Sequence, residues 1–175
     1  MTLDGKSSLV VAGENVPSVV WSADGRALIH VVMGKSDQVG EIRSRTVVSG
    51  SGELLPGAPQ AETLAMAAFV ASASPRLRVL PDGRILFASV PITLPARTAS
   101  IHPGAQFFLL DPAKPDMAPV AVAIKEGSLP DDLSAFAASP DGRFVAVVEG
   151  GTDAVAVLEL ATGKVINPEM ASIVV

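Results

Sequence analysis

The sequence predicts an all-β protein assembled from repeated four-stranded antiparallel meanders, and two observations predict it. The first is the stretch Phe136–Asn167, which divides into four short apolar runs: Phe136–Ser139, Phe144–Glu149, Ala154–Leu160 and Lys164–Ile166. Three turn signals separate them, Pro140-Asp141-Gly142, Gly150-Gly151-Thr152-Asp153 and Ala161-Thr162-Gly163. Gly and Asp supply the positive φ of a hairpin turn at little cost, and they would weaken a strand interior. Val145, Val147, Val155 and Val157 recur at every second residue, the period of a pleated strand. The second observation is repetition. The signature occurs as SADGR at 22–26, LPDGR at 80–84 and SPDGR at 139–143, with 58 residues from Asp24 to Asp82 and 59 from Asp82 to Asp141. Self-similarity at a fixed period marks a repeat architecture. The fold expected is β-propeller-like, with three four-stranded antiparallel blades at a period of about 58 residues in one domain over 1–175.

Taken in order, the repeats span about 17–60, 75–126 and 133–167, and residues 1–16 read as an outermost strand of a neighbouring blade. Each signature lies between apolar runs, Val19–Trp21 and Ala27–Val32, then Leu77–Leu80 and Ile85–Val90, then Phe136–Ala138 and Phe144–Val148. A strand, an Asp-Gly turn and a returning strand make a hairpin in every repeat. The strand Glu41–Val48 places Glu41, Arg43 and Arg45 on one face, which reads as a solvated outer strand. Trp21, the sole tryptophan, reads as a core anchor, and His30 as a packed strand residue. Pro59–Ala73 fits either a short helix or an extra strand between blades, since Gln60, Glu62 and the alanines favour helix while the context favours strand. The loop 91–104 holds three prolines, which disfavour ladder pairing. Strands at Gln106–Asp111 and Val120–Ile124 complete the second repeat.

SPDGR, an apolar strand, a Gly-Asp turn, a second strand ending VLEL and then ATGK together resemble the TolB-type and YVTN-type β-propeller repeats. The match is close in the third repeat, partial in the second and loose in the first, where Ala23 replaces the proline. The resemblance implies radially arranged four-stranded sheets, and it implies no particular enzyme or ligand, because the fold carries many functions. Three repeats are fewer than the four to eight blades of a closed ring. The expectation is therefore a partial propeller that is a fragment or that self-associates to complete a ring.

Composition narrows the function classes. Apolar residues make up 49% and aromatics 4%, so Val, Ala, Leu and Ile fill the core, and the mean hydropathy of +0.44 implies apolar surface that needs covering. A formal charge of −5, with 13 scattered Lys and Arg, argues against nucleic acid, whose phosphates demand a basic stripe. With no cysteine there is no disulfide and no thiolate metal site. GxSxG, HExxH, a P-loop and a helix-opening GxGxxG are all missing from the sequence. No apolar run approaches the ~20 residues of a membrane span, and MTLDGKSSL lacks the form of a signal peptide. As written the chain is expected in the cytoplasm, or in the periplasm or outside the cell if a leader has been removed.

Because strands alternate in direction, the connections after second strands and those between repeats share one rim, and the long loops gather there. Length variation on one face of a repeat protein marks its binding face. The candidate ligand-binding residues on that rim are Arg97 and His102 in the 91–104 loop and the pair Asp131-Asp132. No catalytic residue, metal or cofactor is expected, and Asp24, Asp82 and Asp141 are read as holding turn amides. The function expected is a non-catalytic binding or scaffold module for protein partners that uses the long-loop rim. The alternative is part of a propeller enzyme, lactonase-like or haem-binding dehydrogenase-like, with catalytic residues partly outside the chain.

Overall fold

The computed structural model of the chain describes residues 14–34, 39–56, 60–69, 77–90, 106–114, 117–130, 133–152 and 154–167. Twelve strands and no helix occur among them. The first meander comprises β1 (Ser18–Trp21), β2 (Ala27–Met33), β3 (Val39–Thr46) and β4 (Glu62–Phe69). The second comprises β5 (Leu77–Val79), β6 (Ile85–Val90), β7 (Gln106–Leu110) and β8 (Val120–Ala121). The third comprises β9 (Leu133–Ala138), β10 (Phe144–Glu149), β11 (Val155–Glu159) and β12 (Lys164–Ile166). Every strand-to-strand pairing is antiparallel. The helix-or-strand segment resolves as β4, so the first meander runs past residue 60. Its bulge at Ile42/Arg43 and its pairing along β3 override the helical propensity of the alanines.

The first two meanders are joined. Ala68 and Phe69 at the end of β4 pair with Val90 and Ser89 of β6, and β5 occupies the rest of that edge of β6. Their ladders thus form one eight-stranded sheet, while β9–β12 form a separate four-stranded sheet.

The hairpins explain how the meanders stack. In SADGR and SPDGR a serine hydroxyl accepts the amide three residues after the aspartate: Ala27 N to Ser22 Oγ is 2.9 Å and Phe144 N to Ser139 Oγ is 3.0 Å. The turn then closes with Ser22 N bonded to Ala27 O and Ser139 N to Phe144 O. Leu80 has no hydroxyl, and the second turn closes one residue earlier, Leu80 N to Arg84 O. Relative to the aspartate, β6 is therefore shifted by one residue against β5, which reverses which of its positions face which side. In the first and third meanders the fourth and sixth residues after Asp are Leu28, His30 and Val145, Val147; in the second their equivalents are the third and fifth, Ile85 and Phe87.

With that correction each meander has a rear face toward its predecessor and a forward face toward its successor. Ile29, Val31, Ile42 and Phe69 on the forward face of the first pack with Leu77, Ile85, Phe87 and Leu110 on the rear face of the second. Leu86, Ala88 and Phe107 on the forward face of the second pack with Phe136, Val145, Val147 and Leu158 on the rear face of the third. Strand β6 is thus buried on both sides, and the second meander is the filling of a three-layer stack. Inner strands adjoin as well: β1 lies against β5, the Arg78 guanidinium stands 5.7 Å from the Phe136 ring centre, and Pro81 abuts the turn at Gly142. Four-stranded antiparallel meanders stacked face to face around adjoining first strands are a propeller-like architecture.

The repeat aspartates hold their turns as expected. Asp24, Asp82 and Asp141 each accept the amide two residues on, at 3.0–3.1 Å. The Ser22 hydroxyl and then the Arg26 amide hold the Asp24 carboxyl below its ordinary value, and Ser139 with Arg143 does the same for Asp141. Arg84 folds back onto Asp82, its Nη2 2.7 Å from the carboxylate. In the third meander the segment after β8 closes the outer edge. Glu126 bridges Lys164 in parallel, Lys125 N donates to Gly163 O at 2.8 Å, and Val165 N donates to Glu126 O at 2.8 Å.

Candidate functional site

Among the described residues the three-layer stack leaves two sheet faces without a neighbouring layer of its own kind: the rear of the first meander and the forward face of the third. The two differ in chemistry. On the rear face, register places Val19 and Trp21 of β1 beside Leu28, His30 and Val32 of β2, then Glu41, Arg43 and Arg45 of β3. Trp21 is 52% exposed and Val19 56%, so the tryptophan is not the core anchor its size suggests. Strand alternation gives the core side to Val20 and turns Trp21 away from it.

Nor are the three charges of β3 simply solvated. Arg43 Nη1 donates to Glu14 Oε1 at 2.7 Å, and its Nε donates to Glu41 Oε2 at 2.9 Å. Thr63 Oγ1 donates to the same Glu41 oxygen at 2.9 Å. The Arg43 and Thr63 donors hold the Glu41 carboxyl below its usual value. These side chains close over His30, which is fully buried, with Nε2 3.9 Å from Glu14 Oε2. Burial pushes the imidazole below its ordinary value; the Leu28 backbone and Glu14 oppose that shift, and Arg45 and Arg43 reinforce it.

The sign for stability follows. A depressed histidine is neutral when folded, so between its folded value and the ordinary 6.5 the unfolded chain binds the extra proton. Stability is present in full above pH 6.5 and declines as pH falls below it. His30→Gln is expected to flatten that slope, read as the urea midpoint between pH 7.5 and 5.5. An unchanged slope in the variant would assign the acid loss to other groups.

The forward face of the third meander is apolar. Ala135 and Ala137 of β9, Phe144, Ala146 and Val148 of β10, Val155, Val157 and Glu159 of β11, and Lys164 and Ile166 of β12 share it by register. None of them belongs to either core cluster, and Val155 and Ile166 are 42% and 48% exposed. On the opposite side of the same strands Val145, Val147 and Leu158 are completely buried. The signal was present in the sequence. FVAVVE and VAVLE are apolar at both alternating sets of positions, the pattern of a strand covered on both faces.

The candidate residues Arg97, His102, Asp131 and Asp132 lie outside the described residues, as does most of the long-loop rim. The opposite rim is well formed. Turns after first and third strands meet there, with Val47 N on Arg26 O and Leu160 N on Arg143 O, each 2.9 Å. Among the described residues no group of three or more His, Asp or Glu could hold a metal ion. No helix among them is long and apolar enough to cross a membrane.

Neither a protein-family model nor a curated protein matches the chain. Solved structures do. A puromycin hydrolase superposes with a TM-score of 0.56 at 16% identity, over 89% of this chain and 22% of the hydrolase. The Cps50 (Swd1) β-propeller domain of Myceliophteria thermophila gives 0.48 at 14% identity, over 88% and 43%. A putative 6-phosphogluconolactonase from Bacteroides fragilis gives 0.47 at 18%, over 91% and 39%. The chain thus spans about a fifth of the hydrolase and about two fifths of the other two. The hydrolase superposition, at 16% identity, speaks for a shared fold, not for shared chemistry.

Proposed function

We propose that the chain is a non-catalytic binding or scaffold module for protein partners, and that it binds through the forward face of the third meander. The observation that supports this reading is the apolar character of that face on a sheet whose other face is fully buried. A contiguous apolar patch bounded by charge, here Arg143, Glu159 and Lys164, is the signature of a protein contact surface. The experiment compares the immobilised wild-type chain with a Val155→Asp/Val157→Asp variant as bait in extracts of expressing cells. Partners held by the wild type and lost by the folded double variant support the reading; equal retention by both refutes it.

The alternative, a portion of a larger propeller enzyme, places the same face against further blades and the chemistry elsewhere. Esterase or lactonase turnover by the isolated chain, abolished by His102→Ala or Asp132→Ala, would favour that alternative.

A further inference from the structure

We propose that the partner of the open forward face is a second copy of this chain, whose rear face docks on it so that two copies close a ring of six meanders. The inference rests on the binding reading above and names its partner. Both internal joints pack a forward face on a rear face, once the shifted register of the second hairpin is taken into account, and the first adds the short β4–β6 ladder that the second lacks. Among the described residues one face of each kind is left uncovered, and the joint that would continue the stack is the face-to-face packing already used twice inside it. Rings of this architecture close with four to eight blades, and two copies supply six. The contact is heterologous, and two equivalent contacts close the pair.

The two faces also match in shape and charge. Trp21 and Val19 stand out from the first strand of the rear face, at 52% and 56% exposure. The corresponding inner strand of the forward face offers only Ala135 and Ala137, with Ala146 beside them, a shallow floor for an indole. A large exposed aromatic that becomes covered on docking is a common anchor of a protein interface. In the third strands, Glu159 pairs with Phe144 just as Thr46 pairs with Ala27, so Glu159 sits at the level of Thr46, one residue from Arg45. Docking brings that carboxylate, already in contact with Arg143 and Thr162, to the level of Arg43 and Arg45 of the other copy, where Arg43 is itself held by Glu14 and Glu41.

The experiment is sedimentation of the full chain together with fluorescence of Trp21, its sole tryptophan. The expected species has twice the 17.9 kDa chain mass, and the emission shifts to the blue as concentration rises through the association range. Ala137→Lys and Trp21→Lys each alter an exposed position, one at each end of the stack. Each variant is expected to remain folded by circular dichroism, to sediment as a monomer, and in the first case to lose the concentration-dependent shift although Trp21 is untouched. An equimolar mixture of the two variants retains one intact forward face and one intact rear face, and is expected to recover a single-joint dimer. A wild-type monomer, as would follow if another part of the same chain covered these faces, overturns the proposal. So do an open polymer, a dimer indifferent to both substitutions, or variants that fail to complement. A wild-type monomer that still captures another protein in a Val155/Val157-dependent manner overturns self-association alone and leaves the binding reading standing.

Discussion

Gly163→Ala is expected to destabilise the protein by about 3–5 kcal/mol, a severe loss for a single methyl group in a turn. Gly163 has φ +72, a region where an L side chain costs about 1–2 kcal/mol. The larger part is steric. A Cβ at this position collides with the Ala123 carbonyl oxygen, and that carbonyl belongs to backbone already pinned by the Lys125 N to Gly163 O bond. Relief requires the segment after β8 to move off the edge of β12, which would cost the Glu126–Lys164 bridge and uncover a row of unpaired strand groups. Gly25→Ala is the control. Its φ is +68 but nothing lies within 4 Å, so the conformational cost of about 1 kcal/mol stands alone. Urea denaturation of both variants measures the contrast, and equal midpoints would show that the contact at Ala123 carries no weight.

Phe87→Ala should cost about 3–5 kcal/mol, the range for emptying a buried phenylalanine site. Phe87 is 2% exposed in β6, its ring stacked 5.6 Å from Phe108 and tilted 6.1 Å from Phe69 of the preceding meander. Aromatic pairs add roughly 0.5–1.5 kcal/mol beyond area, so the loss reaches both partners. Because Phe69 also closes the β4–β6 ladder, the variant is expected to loosen the join between the first two meanders, seen as faster amide exchange at Ala68 and Phe69. Phe144→Ala, on the forward face, is expected to cost the single chain only about 1 kcal/mol, because among the described residues no layer of the same chain packs on it. Comparable midpoints for the two would mean that Phe87 is not at a joint.

These contrasts bear on what the sequence could and could not disclose. The hairpins at Asp24, Asp82 and Asp141 were legible because turn chemistry is local: a carboxylate, a glycine and flanking apolar runs suffice. Strand β10 spans Phe144–Glu149 in both sequence and structure, since turn residues flank it on either side. The segment 62–69 was not, because alanine, leucine and methionine favour helix and only a partner strand decides otherwise. Trp21 misled for a related reason. Size argues for burial, while the side of the strand it occupies is fixed by its registry opposite Leu28, which no single run of sequence reveals. The long-loop rim rests on loop length, and its candidate residues lie outside the described ones; the sheet face rests on the doubly apolar strands of the third repeat, a pattern present in the sequence.

The missing hydroxyl at Leu80 makes the three repeats non-interchangeable parts. A graft of the third hairpin into the second would bring in Ser139, restore the wider loop and rotate β6 by half a turn about its own axis. Ile85 and Phe87 would then exchange places with Leu86 and Ala88, leaving both seams of the stack with side chains of the wrong volume. Shuffled or duplicated copies of this protein would have to carry their turns with them.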